Sequence, residues 1–133
     1  MKLKVAFICV HNSCRSQMAE GWANFLGSNI LEAYSAGTGK YPEIKPLAKS
    51  AMLEHGIDLS SQYPKLLADI PQNIDLVVTM GCNAYCPSFP GKWREDWNLE
   101  DPSGKGIEEF RKTNKAIKTK IQDLIMRIEK GTF

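Results

Sequence analysis

Cys9 and Arg15 flank a short polar loop, Cys9-Val10-His11-Asn12-Ser13-Cys14-Arg15-Ser16, which follows the apolar run Val5-Ala6-Phe7-Ile8 and leads into a helical pattern. A strand that delivers a loop into a helix N-terminus gathers several backbone N–H groups at one point, where the helix dipole adds positive potential. Such a concavity attracts a tetrahedral anion. It also favours a thiolate at Cys9, since cysteine pKa values of about 8.5 fall to roughly 3.5–7.5 in electropositive surroundings. The planar fork of Arg15 can grip two oxygens of the anion while Cys9 attacks its central atom. Cys9 is therefore the expected nucleophile. Val10, His11, Asn12, Ser13, Cys14, Arg15 and Ser16 are the expected anion-binding set.

Two further signals stand outside this loop. Cys82 and Cys86 lie in Thr79-Met80-Gly81-Cys82-Asn83-Ala84-Tyr85-Cys86-Pro87, and Asp101 precedes Pro102. Taken alone, Asp-Pro marks a turn, and a pair of thiols can be inert packing. Zinc is disfavoured because the spacings, four residues between Cys9 and Cys14 and three between Cys82 and Cys86, lack the paired C-x2-C form. No metal site is expected.

The elements that must position these residues follow from periodicity. Lys4 to Cys9 and Ile74 to Met80 predict short buried strands, Leu31 to Ala36 a weaker one, and Arg94 to Trp97 a short fourth. Helices are predicted over Ser16 to Leu26, Lys45 to His55 with Pro46 in its first turn, and Gly106 to Lys130. Strands separated by helices predict an α/β fold, doubly wound, with a four-stranded parallel sheet and helices on both faces. Ligands bind such sheets at the carboxyl ends of strands, where the Cys9 loop falls. The irregular stretches Gly81 to Trp93 and Asn98 to Gly106 also follow strands, so they emerge on the same side. Trp22, Trp93 and Trp97 are expected to pack.

Bulk properties narrow the function. The 133 residues are expected to form a single domain, and 17 Lys and Arg against 15 Asp and Glu leave a charge of +2. That balance argues against nucleic acid as a partner. Polar His11-Asn12 arrives too soon for a signal peptide, and no apolar run reaches the about 20 residues that cross a bilayer. The expectation is a cytoplasmic protein without a membrane partner, in which any disulfide is catalytic.

Across nearly its whole length the chain resembles the low-molecular-weight protein tyrosine phosphatase superfamily, which uses C-x5-R-S near the N-terminus and Asp-Pro near the C-terminus. The resemblance runs through Asn12-Ser13-Cys14-Arg15-Ser16-Gln17-Met18-Ala19-Glu20-Gly21, Tyr34-Ser35-Ala36-Gly37, Gly56-Ile57-Asp58-Leu59-Ser60, Asp75-Leu76-Val77-Val78-Thr79-Met80 and Asp101-Pro102. It implies the low-molecular-weight phosphatase fold, with Asp101 as the general acid that protonates the departing oxygen. Chemistry agrees, because hydroxide and alkoxide leave poorly without a proton. It also implies that Ser16 donates a hydrogen bond to the Cys9 thiolate and that Asn12 pins the loop.

Cys82 and Cys86 single out one branch. A phosphatase does not need them, whereas the pair is similar to that of the thioredoxin-coupled arsenate reductases. That resemblance implies arsenate as substrate, a relay from Cys9 through Cys82 to a final Cys82–Cys86 disulfide, and thioredoxin as reductant with no bound cofactor. Some relatives hold potassium through Asn, Glu, Ser and Asp. Asn12, Glu20 and Ser35 match the first three, but Lys65 falls at the Asp position, so activity is expected not to require potassium. Gln17 and Ser103 replace the Pro and Tyr that phosphatases commonly carry, which disfavours the alternative, phosphomonoester hydrolysis through a phospho-Cys9 intermediate. A third reading is a non-catalytic redox module.

Overall fold

The computed structural model describes residues 2–39, 42–81 and 89–132. Cys82 and Cys86 lie outside the described residues. The elements in chain order are β1 (Leu3–Cys9), α1 (Arg15–Gly27), β2 (Leu31–Gly37), α2 (Pro46–Leu53), a 3-10 turn (Leu67–Asp69), β3 (Ile74–Thr79), β4 (Gly91–Asp96) and α3 (Ile107–Lys130). The four strands form one sheet in the order β2-β1-β3-β4, and every pairing is parallel.

β1 is flanked by strands on both sides and buried on both faces, which is why Val5 to Cys9 is continuously apolar instead of alternating. Val5, Phe7 and Cys9 enter the larger core cluster with Met18 and Trp22 of α1, Met52 of α2 and Ile117, Ile121 and Leu124 of α3. Ala6 and Ile8 enter the smaller one, with Ala36, Ile70, Val77 and Phe89. The two faces are thus covered unequally. α1, α2 and α3 all contribute to the larger cluster, and Leu67 of the 3-10 turn packs against the smaller. Between α1 and α3 the Trp22 indole N–H donates to Asn114 Oδ1, so the one polar atom of a buried ring is satisfied.

Helix ends follow local chemistry. Pro46 opens α2, Gly131 closes α3 in a left-handed turn, and Glu108 and Glu109 face its N-terminal dipole. β4 departs from expectation: it spans Gly91–Asp96 and so takes in 91–93 from the stretch anticipated as irregular. As the sheet's edge it is mostly exposed and shows no apolar pattern; backbone pairing with β3, Leu76 opposite Trp93, defines it. Trp93 is 47% exposed, whereas Trp22 and Trp97 are buried. Phe7 and Trp97 place their ring centroids 5.5 Å apart.

The register aligns the strand ends that matter. Cys9, the last residue of β1, sits opposite Gly37, the last of β2. A side chain at Gly37 would bring its Cβ within 2.6 Å of the Val10 carbonyl oxygen, 2.8 Å of the Cys9 oxygen and 3.0 Å of the Asn12 nitrogen. Only glycine lets the Cys9 loop lie this close to β2. Gly37→Ala is expected to destabilise the fold by about 1–3 kcal/mol and to weaken inorganic phosphate binding, because backbone must move. Denaturant unfolding and phosphate titration calorimetry check both effects.

Candidate active site

The Cys9 loop closes around its own first side chain. Asn12 adopts a left-handed conformation, φ 53°, that folds the chain back so its backbone N–H donates to Cys9 Sγ at 3.2 Å. Ser16 Oγ lies 2.9 Å from the same sulfur and accepts from Asn12 Nδ2 at 2.8 Å. The Val10 and Ser13 carbonyls are occupied by the backbone N–H groups of Gly39 and Lys45, at 2.9 and 2.8 Å. A cavity of about 280 Å³ opens above, lined by Cys9, Val10, His11, Ser13, Cys14, Arg15, Asp101 and Ser103. Of the expected anion-binding set, Asn12 and Ser16 do not line it. They are fully buried and sit behind the sulfur.

Arg15 opens α1 and is itself nearly buried. Its Nη1 donates to the Met80 and Leu99 carbonyls at 2.7 and 2.8 Å, which anchors one side of the fork. On its other side Nη2 stands 3.8 Å from Asp101 Oδ2. The structure therefore brings Cys9, Arg15 and Asp101 to one cavity from three distant stretches of chain. Burial raises the Asp101 pKa, but the Ser103 backbone N–H at 3.0 Å, together with Arg15 and Lys45, outweighs it and holds the carboxyl below the usual range. Cys14 behaves oppositely. Burial, with Asp101 and Cys9 nearby, pushes its thiol up to about 12, so it stays protonated when Cys9 reacts.

Asp96 was not singled out from sequence. Its carboxylate accepts from the Thr79 hydroxyl and the Gly81 N–H through Oδ1, at 2.7 and 2.9 Å, and from the Asn98 N–H through Oδ2 at 3.0 Å. It thereby clasps the end of β3 to the segment that leads to Asp101. Gly81, with φ 91°, could carry no Cβ, which would meet the Leu99 nitrogen at 2.7 Å. The one sequence signal for this clasp is the Asp-x-Asn spacing of an Asx turn over 96–98.

At the back of the loop Lys65 Nζ lies 3.7 Å from Glu20 Oε1, which also takes a hydrogen bond from the Ser35 hydroxyl. Burial drives the Glu20 carboxyl up while Lys65 and Ser35 pull it down, and the rise prevails. An ammonium thus stands beside Glu20, at the position for which the resemblance implied a potassium ligand. Among the described residues no three His, Cys, Asp or Glu side chains cluster as metal ligands, and no helix is long and apolar enough to cross a membrane.

The family model for low molecular weight phosphotyrosine protein phosphatase matches residues 4–132, so it includes the loop, Asp101 and all four strands but the first residue of β1. The chain belongs to this family. An arsenate reductase of Staphylococcus aureus (strain Newman) is 41% identical over 130 residues, covering 95% of this chain and 98% of that protein. A glutaredoxin arsenate reductase of Synechocystis is 37% identical over 132 residues, covering 94% and 98%. A solved arsenate reductase in the phosphate binding state superposes with TM-score 0.85 at 37% identity, covering 96% of this chain and 99% of the other. The thioredoxin-dependent arsenate reductase of Corynebacterium glutamicum gives TM-score 0.78 at 34% identity, covering 98% and 63%.

The Arg15–Asp101 pair has a consequence for proton balance. An oxyanion that takes the Arg15 fork both removes the counter-ion of Asp101 and places negative charge beside it, and each change raises the carboxyl pKa. Near pH 6, phosphate binding should therefore draw in a fraction of a proton that Asp101→Asn does not take up. Calorimetric titration in buffers of different ionisation enthalpy measures the difference.

Proposed function

We propose that this protein reduces arsenate to arsenite through a Cys9, Cys82 and Cys86 relay regenerated by thioredoxin. The observation that carries the reading is the buried Cys9 sulfur, approached by the Asn12 N–H and the Ser16 hydroxyl, on the floor of a cavity shared with Arg15 and Asp101. None of the described cavity-lining residues is Phe, Tyr or Trp, which suits a small inorganic oxyanion better than an aryl phosphate. The arsenate reductases among its relatives cover almost the whole chain.

In this mechanism Arg15 and the loop hold arsenate, the Cys9 thiolate attacks arsenic, and one oxygen leaves as water after taking a proton from Asp101. Cys82 then attacks the Cys9 sulfur. The sulfur–arsenic electron pair stays on arsenic, which departs as arsenite, and a Cys9–Cys82 disulfide remains. Cys86 attacks Cys82, Cys9 returns as thiolate, and thioredoxin reduces the resulting Cys82–Cys86 disulfide by thiol exchange. A reaction that depends on thioredoxin belongs in the cytoplasm, where thiols are kept reduced. The same Cys9, Arg15 and Asp101 chemistry also leaves room for weak phosphomonoester hydrolysis.

The relay is tested by measuring arsenite formation with thioredoxin, thioredoxin reductase and NADPH. Cys82→Ser and Cys86→Ser should both abolish multiple turnover, with Cys86→Ser stalling as the Cys9–Cys82 disulfide. Undiminished turnover in either would end the relay. Replacing thioredoxin by glutaredoxin and glutathione should slow the reaction; a faster rate would reassign the reductant.

Lys65 supplies the positive charge for which some family members, by the resemblance, use potassium, so turnover should be unchanged when potassium is exchanged for tetramethylammonium. A marked fall on that exchange would show that the ammonium does not replace the ion.

A further inference from the structure

Behind the catalytic loop lies a run of buried amides that the proposed mechanism does not use. Gln17, fully buried on the first turn of α1, donates through Nε2 to Asn12 Oδ1 at 2.9 Å, to the Asn12 carbonyl at 3.0 Å and to the Tyr63 carbonyl at 2.9 Å. Gln62 in turn donates through Nε2 to Gln17 Oε1 at 2.8 Å and to the Gln17 carbonyl at 3.0 Å. Asn12 then donates to Ser16 Oγ, which touches Cys9 Sγ. The sequence Gln62, Gln17, Asn12, Ser16, Cys9 is one continuous chain of hydrogen bonds.

Backbone groups fix the direction of each link. The Lys65 N–H, which can only donate, meets Asn12 Oδ1 at 2.8 Å, so that end of the amide is oxygen and the other is the Nδ2 that faces Ser16. The Tyr63 and Asn12 carbonyls, which can only accept, establish the nitrogen end of Gln17. The Gln17 carbonyl does the same for Gln62. With one lone pair taken by the incoming N–H, the Ser16 hydroxyl keeps its own hydrogen free to point at the sulfur. A hydroxyl that donates stabilises a thiolate, whereas one that accepts stabilises the thiol.

We propose that Gln17 is a positioning residue that sets the polarity of this chain, so that Ser16 donates to Cys9 rather than accepting from it. It does so by holding Asn12 twice, at the side-chain and backbone oxygens, in the left-handed conformation that the loop requires. Through Tyr63 it also tethers the segment whose Lys65 N–H supplies the second donor. The proposal rests on Cys9 being the nucleophile of the reaction proposed above and does not depend on which oxyanion it attacks.

The test reads Cys9 alkylation by iodoacetamide as a function of pH, located by fragment-mass mapping, in the unchanged chain and in Gln17→Met and Gln62→Met. Gln17→Met keeps the length and removes the donor. Near pH 5.5 it should slow Cys9 alkylation about tenfold, with the two rates converging at alkaline pH where Cys9 is ionised in both proteins. Gln62→Met, at a partly buried position, should slow it about threefold and converge in the same way, since it frees only the Gln17 end of the chain. An unchanged profile in a folded Gln17→Met protein would overturn the proposal. So would slowing that persists at alkaline pH, because a merely distorted loop would cause that. If Gln17→Met does not fold, an unchanged Gln62→Met profile overturns it instead. No oxyanion or reductant is present, so failure here leaves the arsenate reading untouched, and failure of that reading leaves this result standing.

Discussion

The contact between the Ser16 hydroxyl and the Cys9 sulfur, 2.9 Å long and buried, sets the terms for the surrounding structure. Cys9 ends a strand and Ser16 lies in the first turn of a helix, so the contact forms only if the intervening chain turns back on itself within one short loop. That reversal needs Asn12 in a left-handed conformation, which costs energy for any residue but glycine and is tolerated best by asparagine. The cost is offset by the amide's bonds to Ser16, Gln17 and Lys65. Gly37 allows β2 to pass close behind the same turn.

From this loop the remaining parts of the site are reached through backbone carbonyls. Arg15 binds one carbonyl just after β3 and another just after β4, so its guanidinium has a fixed anchor on strand ends that the parallel sheet brings to one edge. Asp96 holds those two ends together with one carboxylate. A fork supported in this way loses little freedom when an oxyanion arrives, which is how preorganised donors stabilise developing charge.

The charges around the cavity separate the roles of chemically similar groups. Of the described residues two thiols line it, yet burial keeps Cys14 protonated while hydroxyl and amide donors surround Cys9. Two carboxyls lie close by and are pushed in opposite directions. Glu20 sits buried behind the loop and is raised, whereas Asp101 is held down by Ser103, Arg15 and Lys45 and is half exposed. Asp101 can therefore exchange protons with solvent and substrate.

Strands β1, β2 and β3, helices α1, α2 and α3 and the Cys9-to-Ser16 loop were legible in the sequence, because each is encoded by neighbours: an apolar run, a 3.6-residue stripe, a helix start. Edge strand β4 was only half legible, since an exposed edge carries no apolar signature and is defined by pairing with β3. Cys9 and Arg15 could be named as candidates from residue type and order alone, and Asp101 through the family resemblance that its Asp-Pro dipeptide helps to carry. That they share one side of the sheet was legible, but the distances at which they converge on one cavity were not, and neither was the Asp96 clasp; the nearness of Lys65 to Glu20 was implied only by the family resemblance. The links of Gln17 to Tyr63 and Gln62, 45 or more residues away, are equally absent from any local pattern. Sequence determines which groups can donate, accept or attack, and the short-range geometry of each element. Whether a donor meets an acceptor across 45 residues depends on how the elements pack, and only the tertiary structure decides that.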